Sequence, residues 1–198
     1  IEAALEKVRS ASLAMHKADE LKNVVAVVFQ KLKELGLTFD VAGIQLYTEG
    51  SKDIVQWVAA LDLVAAPVLA NLPFVEKDFR ESEIVRDYWA AKEMGKGFSN
   101  KSYSFEEKNK FFEYAGRYND FTAMPEDVRE FQLKAPGYTQ TLIEEKRSSV
   151  WVDSYSNKTI TIEAIDILKR FARIFEQAYT RFLDIQKAEA QVREAHIE

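Results

Sequence analysis

Phe39-Asp40-Val41-Ala42-Gly43-Ile44-Gln45-Leu46-Tyr47 and, after Thr48 to Asp53, Ile54-Val55-Gln56-Trp57-Val58-Ala59-Ala60-Leu61 decide how this chain is read. Each run has strand length and is rich in β-branched and aromatic residues. The segment between them carries Gly50, Ser51 and Asp53, so the pair reads as an antiparallel hairpin. Neither run alternates cleanly. Val41, Gly43 and Tyr47 oppose Ala42, Ile44 and Leu46, and Val55, Trp57 and Leu61 oppose Ile54, Val58 and Ala60. A sheet with one wet face alternates apolar and polar residues. This sheet is therefore expected to be covered on both faces.

Tyr138 to Glu145 and Ser148 to Asp153 read as a second hairpin, turning through Lys146-Arg147. Residues 2 to 35 have helical spacing, with a break around His16 to Asp19 and Asp19 as N-cap of its second half. Gly36 is placed to stop that helix. Residues 162 to 198 read as one long helix, entered through Thr159 to Thr161. Residues 62 to 137 are less regular. Leu72-Pro73-Phe74 reads as loop and Arg80 to Met94 as a helix stopped by Gly95. Ser104 with Glu107 forms a capping box for a helix through Tyr114, and Pro125 opens a short helix to about Lys134. The order is helix, hairpin, helical insertion, hairpin, long helix. Terminal helices on an antiparallel sheet make an α+β fold.

Along the last helix, Ile165, Leu168, Ala172, Phe175, Tyr179 and Phe182 form one apolar stripe. Phe171, Ile174, Ala178, Ile185, Ala188, Val192 and Ala195 form a second, and only the second continues past about residue 184. A narrow seam at three-four spacing is what a coiled coil needs. Ile185, Ala188, Val192 and Ala195 are thus the expected seam of a homodimer through the terminal helices. The chain reads as one domain over 1–198, with 1–18 and 185–198 as linker or coiled-coil extensions. It begins at Ile1 and ends at Glu198 inside helical sequence, as expected of a piece of a larger protein.

Composition narrows the chemistry. Gly and Pro are scarce (7 and 4) where average usage would give about 24 together, so long regular elements dominate. The net charge of −5 lacks the basic excess of a nucleic-acid footprint. There is no cysteine, which excludes disulfides, thiolate metal sites, Cys nucleophiles and covalent bilin attachment through Cys. No apolar run approaches the ~20 residues of a membrane span, and a cytoplasmic setting is expected.

No catalytic set emerges. The histidines, His16 and His196, sit on opposite terminal helices, far from the three or four converging ligands of a metal site, and G-x-S-x-G is absent. Gly95-Lys96-Gly97 reads as a helix stop and turn, since it lacks the pattern of a phosphate loop. Lys101, Lys108 and Lys110 alternate with Tyr103, Phe105, Phe111 and Phe112, but Glu106, Glu107 and Glu113 cancel their charge. Glu144 and Glu145 point to opposite faces of a strand and are assigned to a solvated edge. The more suggestive set is aromatic: Tyr47, Trp57, Trp89, Phe98, Tyr138 and Trp151, with polar Gln45 and Gln56 on apolar strands. Apolar walls with a few placed polar groups make a small-molecule pocket. The same residues also suit an ordinary core, with the glutamines at a sheet edge. Gln45, Tyr47, Trp57, Trp89, Phe98, Tyr138 and Trp151 are the candidate pocket. No metal and no cofactor is expected.

The opening run Ala4-Leu5-Glu6-Lys7-Val8-Arg9-Ser10, then Leu13-Ala14-Met15 and Asp19-Glu20-Leu21, resembles the start of GAF-like sensor units of bacterial signalling proteins. The closing runs Ile165-Asp166-Ile167-Leu168-Lys169-Arg170-Phe171-Ala172, Phe175-Glu176-Gln177, Tyr179-Thr180-Arg181-Phe182-Leu183-Asp184 and Gln186-Lys187-Ala188-Glu189-Ala190 are similar to its end. Such units precede histidine-kinase or cyclase output domains. The resemblance implies a sheet with the terminal helices on one face and a pocket beneath the insertion on the other. It further implies a regulatory, non-catalytic module of a two-component or related system, which binds a small ligand or partner and signals through its helices. Kinase or cyclase activity would then reside outside this chain. Asn109-Lys110-Phe111-Phe112-Glu113 echoes a cyclic-nucleotide motif of the family by spacing, on a helix, and no role is carried over to it. The alternative reading is a ligandless structural and dimerisation spacer.

Overall fold

A computed structural model of the chain describes residues 1–15, 17, 20–60, 67–118 and 126–195. His16, Asp19, Leu61, Pro125, His196, Ile197 and Glu198, which carried expectations above, lie outside the described residues.

The first hairpin forms as expected, with β1 (Val41–Leu46) antiparallel to β2 (Ile54–Ala60) in register Ile44↔Trp57 and Gln45↔Gln56. The second is β5 (Tyr138–Glu144) with β6 (Ser148–Ser154). The two hairpins join edge to edge, β1 pairing antiparallel with β6 from Val41↔Asp153 to Leu46↔Ser148. Every residue of these two central strands except Ser154 is buried, which accounts for their unbroken apolar runs. Two further strands complete a six-stranded sheet of order β3-β2-β1-β6-β5-β4.

The added strands, β3 (Val68–Leu72) and β4 (Gly97–Tyr103), were not expected from the sequence. Val68-Leu69-Ala70-Asn71-Leu72 is a mostly exposed edge, so no buried face imposes alternation on it. Gly97-Phe98-Ser99-Asn100-Lys101-Ser102-Tyr103 has weak β-propensity, and seven paired positions along β5 hold it.

One face of the sheet, here the outer face, carries the terminal helices α1 (Glu2–Leu13), α2 (Leu21–Glu34) and α7 (Ile162–Ala195). Ala42, Ile44, Leu46, Val150 and Val152 meet Leu5, Val8, Val25, Val28, Leu168, Phe171 and Phe175 in one buried cluster. The segment 1–18, expected as an extension, is thus partly body, because α1 lies along α7 with Leu5 and Val8 buried. The inner face carries α3 (Glu76–Glu81), α4 (Glu83–Met94), α5 (Phe105–Tyr118) and α6 (Glu126–Lys134). Ile84, Tyr88, Trp89, Phe111 and Tyr114 pack there on Val41, Leu142 and Trp151. This is the α+β arrangement that the resemblance implies, with the terminal helices on one face of the sheet and the insertion on the other.

Local chemistry sets the helix ends. Arg80 to Met94 is two helices, because Ser82 is extended and its hydroxyl accepts from Val85 N–H at 3.4 Å, capping α4. Gly95 ends α4 in the left-handed region at φ 68°. Ser104 Oγ accepts from Glu107 N–H at 3.1 Å, as a capping box requires. The Glu107 carboxylate instead accepts from Glu83 N–H at 3.0 Å, tying α5 to α4. On α7 the last buried residue is Phe182. The remaining residues through Ala195 carry the helix on by about 18–20 Å at 1.5 Å per residue, with Ile185 and Val192 exposed.

Candidate functional site

Successive strand residues point to opposite faces, and the registers place one parity of every strand beneath the insertion. Three cross-strand rows result on the inner face. Glu144, Ser149, Gln45 and Gln56 form the first, Leu142, Trp151, Gly43 and Val58 the second, and Gln140, Asp153, Val41 and Ala60 the third. The first row is polar and buried throughout, the third is polar at Gln140 and Asp153 and apolar at Val41 and Ala60, and the middle one is apolar but for the indole N–H.

The first row is hydrogen-bonded along its length. Gln45 Nε2 donates to Gln56 Oε1 at 3.4 Å, and Ser149 Oγ donates to Gln45 Oε1 at 3.1 Å. The Tyr47 hydroxyl lies 2.6 Å from Glu144 Oε2 and 3.2 Å from Gln45 Oε1, and its one proton serves the shorter contact. Above it, the Lys92 ammonium of α4 sits 4.7 Å from the Trp89 ring centroid and 5.1 Å from that of Tyr47, donating to the Ser51 carbonyl at 2.9 Å.

In the middle row the Trp151 indole lies flat on β1, where only glycine leaves room. A Cβ on Gly43 would meet Trp151 Cζ2 at 2.3 Å and the Trp57 carbonyl oxygen at 2.7 Å. In the third row Tyr138 donates to Asp153 Oδ2, and Gln140 Nε2 donates to the Tyr88 hydroxyl at 2.5 Å. Tyr103 and Tyr155 flank Tyr138 at ring-centroid distances of 6.1 and 5.9 Å.

Glu144 Oε1, Trp151 Nε1 and Asp153 Oδ1 are buried without a hydrogen-bond partner. Buried polar groups are nearly always partnered, so three on one sheet face mark that face as unusual. Burial sets the electrostatics. It pushes the Glu144 carboxyl up to about 7, against the lowering pull of the Tyr47 hydrogen bond and of Lys92. It pushes Asp153 up to about 8, against the Tyr138 hydrogen bond. Burial lowers Lys92 and raises Tyr47, Tyr88 and Tyr138 well above the ordinary phenol range. The face thus offers an N–H donor and two carboxyls that gain or lose a proton near neutral pH, among aromatic walls. That chemistry suits a small polar molecule with both donors and acceptors.

Of the residues read from the sequence, Gln45, Tyr47, Tyr138 and Trp151 come together on this face, and Trp89 covers it from α4. Trp57 and Phe98 do not join them. Trp57 pairs with Ile44 and packs in the outer cluster. Phe98 pairs with Ile143, is half exposed, and lies under Lys169 of α7 at 4.4 Å. Alternation alone separates Trp57 from its neighbour Gln56. Glu144, assigned to a solvated edge, is only 2% exposed, because β4 and β6 flank its strand and the insertion covers it. Glu144, Asp153, Gln140, Ser149 and Lys92 were missed as site residues. Their signal was parity, since Gln140 and Glu144 share a face with Tyr138 in a sheet already read as covered on both sides.

The basic-aromatic segment has local work to do. Lys101 pairs with Glu83 and Asp87, both at 2.6 Å, and Lys110 with Glu106 and Glu107. Lys108 is fully buried and donates to the Gln132 and Leu133 carbonyls at the end of α6. Among the described residues no group of three or more His, Asp or Glu could hold a metal ion, and no helix is long and apolar enough to cross a membrane. Outside the three rows, Trp89 also lines an open groove of about 570 Å³ with Lys52, Phe74 and Arg86.

No family model and no curated protein matches the chain. Among solved structures, the phycoerythrobilin-bound GAF domain from a cyanobacterial phytochrome is similar, at 12% identity over 91% of this chain and 96% of that one, with a TM-score of 0.48.

Proposed function

We propose that this chain is a regulatory sensor module of a bacterial signal-transduction protein, such as a two-component system. It binds a small polar molecule between the inner face of the sheet and the insertion, and passes its state along α7. The observation that supports this most is the set of buried, unpartnered atoms Glu144 Oε1, Trp151 Nε1 and Asp153 Oδ1 on one face. A bound molecule that accepts from the indole and hydrogen-bonds the two free carboxyl oxygens, as acceptor from a protonated one or donor to an ionised one, supplies what the fold withholds. Signalling requires that the molecule bind two arrangements of the helices with different affinity. The module works in the cytoplasm as a homodimer whose seam is Ile185, Ala188, Val192 and Ala195, with residues 185–198 as linker. Its role is regulatory, and any kinase or cyclase chemistry belongs to other segments.

The test is a thermal-shift screen against nucleotides and metabolites. A molecule that binds only the folded state raises the melting temperature. The shift should be lost in Trp151→Phe, which removes the N–H donor and keeps an aromatic ring. A hit that survives W151F binds elsewhere and contradicts the reading.

The second reading, a ligandless dimerisation spacer, is favoured by the aromatic packing over Tyr138, where Phe111 stacks at 6.3 Å and Phe112 meets it edge-on at 5.8 Å. A screen with no hit and an intact dimer would select it.

A further inference from the structure

The turn at residues 145–147 stands between the first polar row and the long helix, and it is held from both sides. On the sheet side, Tyr47 N–H donates to the Arg147 carbonyl at 2.9 Å, while the hydroxyl of the same tyrosine donates to Glu144 Oε2. On the helix side, Glu176 of α7 uses both carboxylate oxygens. Oε1 accepts from Arg147 N–H at 3.0 Å and Oε2 from Ser148 Oγ at 2.6 Å. The Arg147 guanidinium lies 3.8 Å from Asp184, two residues past Phe182, where the burial of α7 ends. The charged or titratable groups around Glu144 are Tyr47, the residue after β1, and Lys92 of α4, and the Glu176 charge acts on Tyr47 from the α7 side.

We propose that this turn is the coupling element of the molecule, with Glu176 as the positioning residue that converts a change at Glu144 into a change where α7 leaves the body. The inference rests on the reading of the inner face as the binding site. A molecule that hydrogen-bonds Glu144 at the unpartnered Oε1 turns the carboxyl plane and pulls Oε2 away from the Tyr47 hydroxyl. Displacing that hydroxyl shifts the end of β1, and the Arg147 carbonyl moves with Tyr47 N–H. Glu176 grips the turn at two atoms with one planar group, so rotation of a single side-chain bond cannot absorb the movement. It passes instead to the backbone of α7, beside the Arg147–Asp184 pair. Among the described residues, the buried apolar stripe of α7 makes no such hydrogen-bonded route to Glu144.

The test needs no ligand. Amide hydrogen exchange is followed on the full chain for the wild type, Tyr47→Phe, Glu176→Gln and the double variant. Y47F removes the hydroxyl and keeps the backbone N–H; E176Q keeps the size of the side chain and removes one acceptor. Y47F is expected to raise exchange at 145–148 and at 177–187 by about fivefold, the factor of one net hydrogen bond. In the E176Q background, Y47F should add nothing at 177–187. The inference is overturned if Y47F leaves 177–187 unchanged, or if it acts there equally with and without Glu176. The latter is what a merely structural contact would give. Ser148→Ala, a mild change that removes one of the two bonds to Glu176, should give an intermediate effect; a full effect or none overturns the role of the two-point grip. Failure of the ligand screen with this coupling intact would refute the binding site and leave the turn's role standing.

Discussion

Replacing Glu144 by Gln should change how stability responds to pH, and the structure fixes both sign and size. Glu144 sits near 7 in the folded protein, raised by burial, against an ordinary value of 4.5. Between these values the folded state holds a proton that the unfolded state has released. Raising the pH therefore favours unfolding. The stability tied to the neutral carboxyl is fully present below about 4.5 and is lost as pH rises through about 7. At about 1.4 kcal/mol per pH unit, the loss between pH 5 and pH 8 comes to about 2–3 kcal/mol. Glutamine cannot ionise. Its amide oxygen can still accept from the Tyr47 hydroxyl, so E144Q should keep the fold and lose this share of the pH slope. The assay is urea unfolding, followed by tryptophan fluorescence at pH 5, 6, 7 and 8, with stability taken from the midpoint and slope. The stability of E144Q relative to wild type should rise by about 2–3 kcal/mol over that range, mostly between pH 5 and pH 7, and level off above. Parallel pH profiles for the two proteins would refute the account of a buried carboxyl held near neutrality.

Asp153→Asn should flatten the profile in the same direction over a window reaching about pH 8, and an unchanged alkaline limb would contradict this. Gly43→Ala should destabilise the fold by about 1–3 kcal/mol through overpacking and shift Trp151 emission, because the new methyl lands on the indole; a neutral effect would show that the indole does not lie on β1. Lys108→Met keeps the stem and deletes the ammonium that caps α6, so unfolding stability should fall by about 1–3 kcal/mol, and an unaffected midpoint would count against that cap. Ile185→Asp and Val192→Asp should each weaken self-association in analytical ultracentrifugation, and an unchanged association constant would remove the seam from the account.

The sheet was legible because β1 is buried on both faces and β2 largely so, which the mixed parity of Val41–Leu46 and Ile54–Ala60 records directly. β3 and β4 were not legible. An exposed edge such as Val68–Leu72 carries no pattern of burial, and Ser99, Asn100 and Ser102 are strand residues only because β5 lies beside them. The helix break at Ser82 was not marked by any Gly or Pro, and only its cap to Val85 N–H reveals it. The site was half legible. Aromatic residues announce themselves by type, but the face they occupy depends on strand parity, and parity separates Trp57 from Gln56 and Phe98 from Trp151. Buried carboxyls such as Glu144 and Asp153 look like surface residues in a sequence, since composition cannot say that a neighbouring tyrosine will meet them. Their pairing with Tyr47 and Tyr138 arises only from the cross-strand register.

The central claim is that the inner face binds a small polar molecule and that binding is felt along α7. It is tested most directly by titrating a thermal-shift hit into the ¹⁵N-labelled chain and following the Trp151 indole N–H together with the backbone amides of 183–195. The account predicts that both sets of signals move along one binding curve. An indole signal that stays in place while the hit binds, or one that moves while the α7 amides do not, would contradict it.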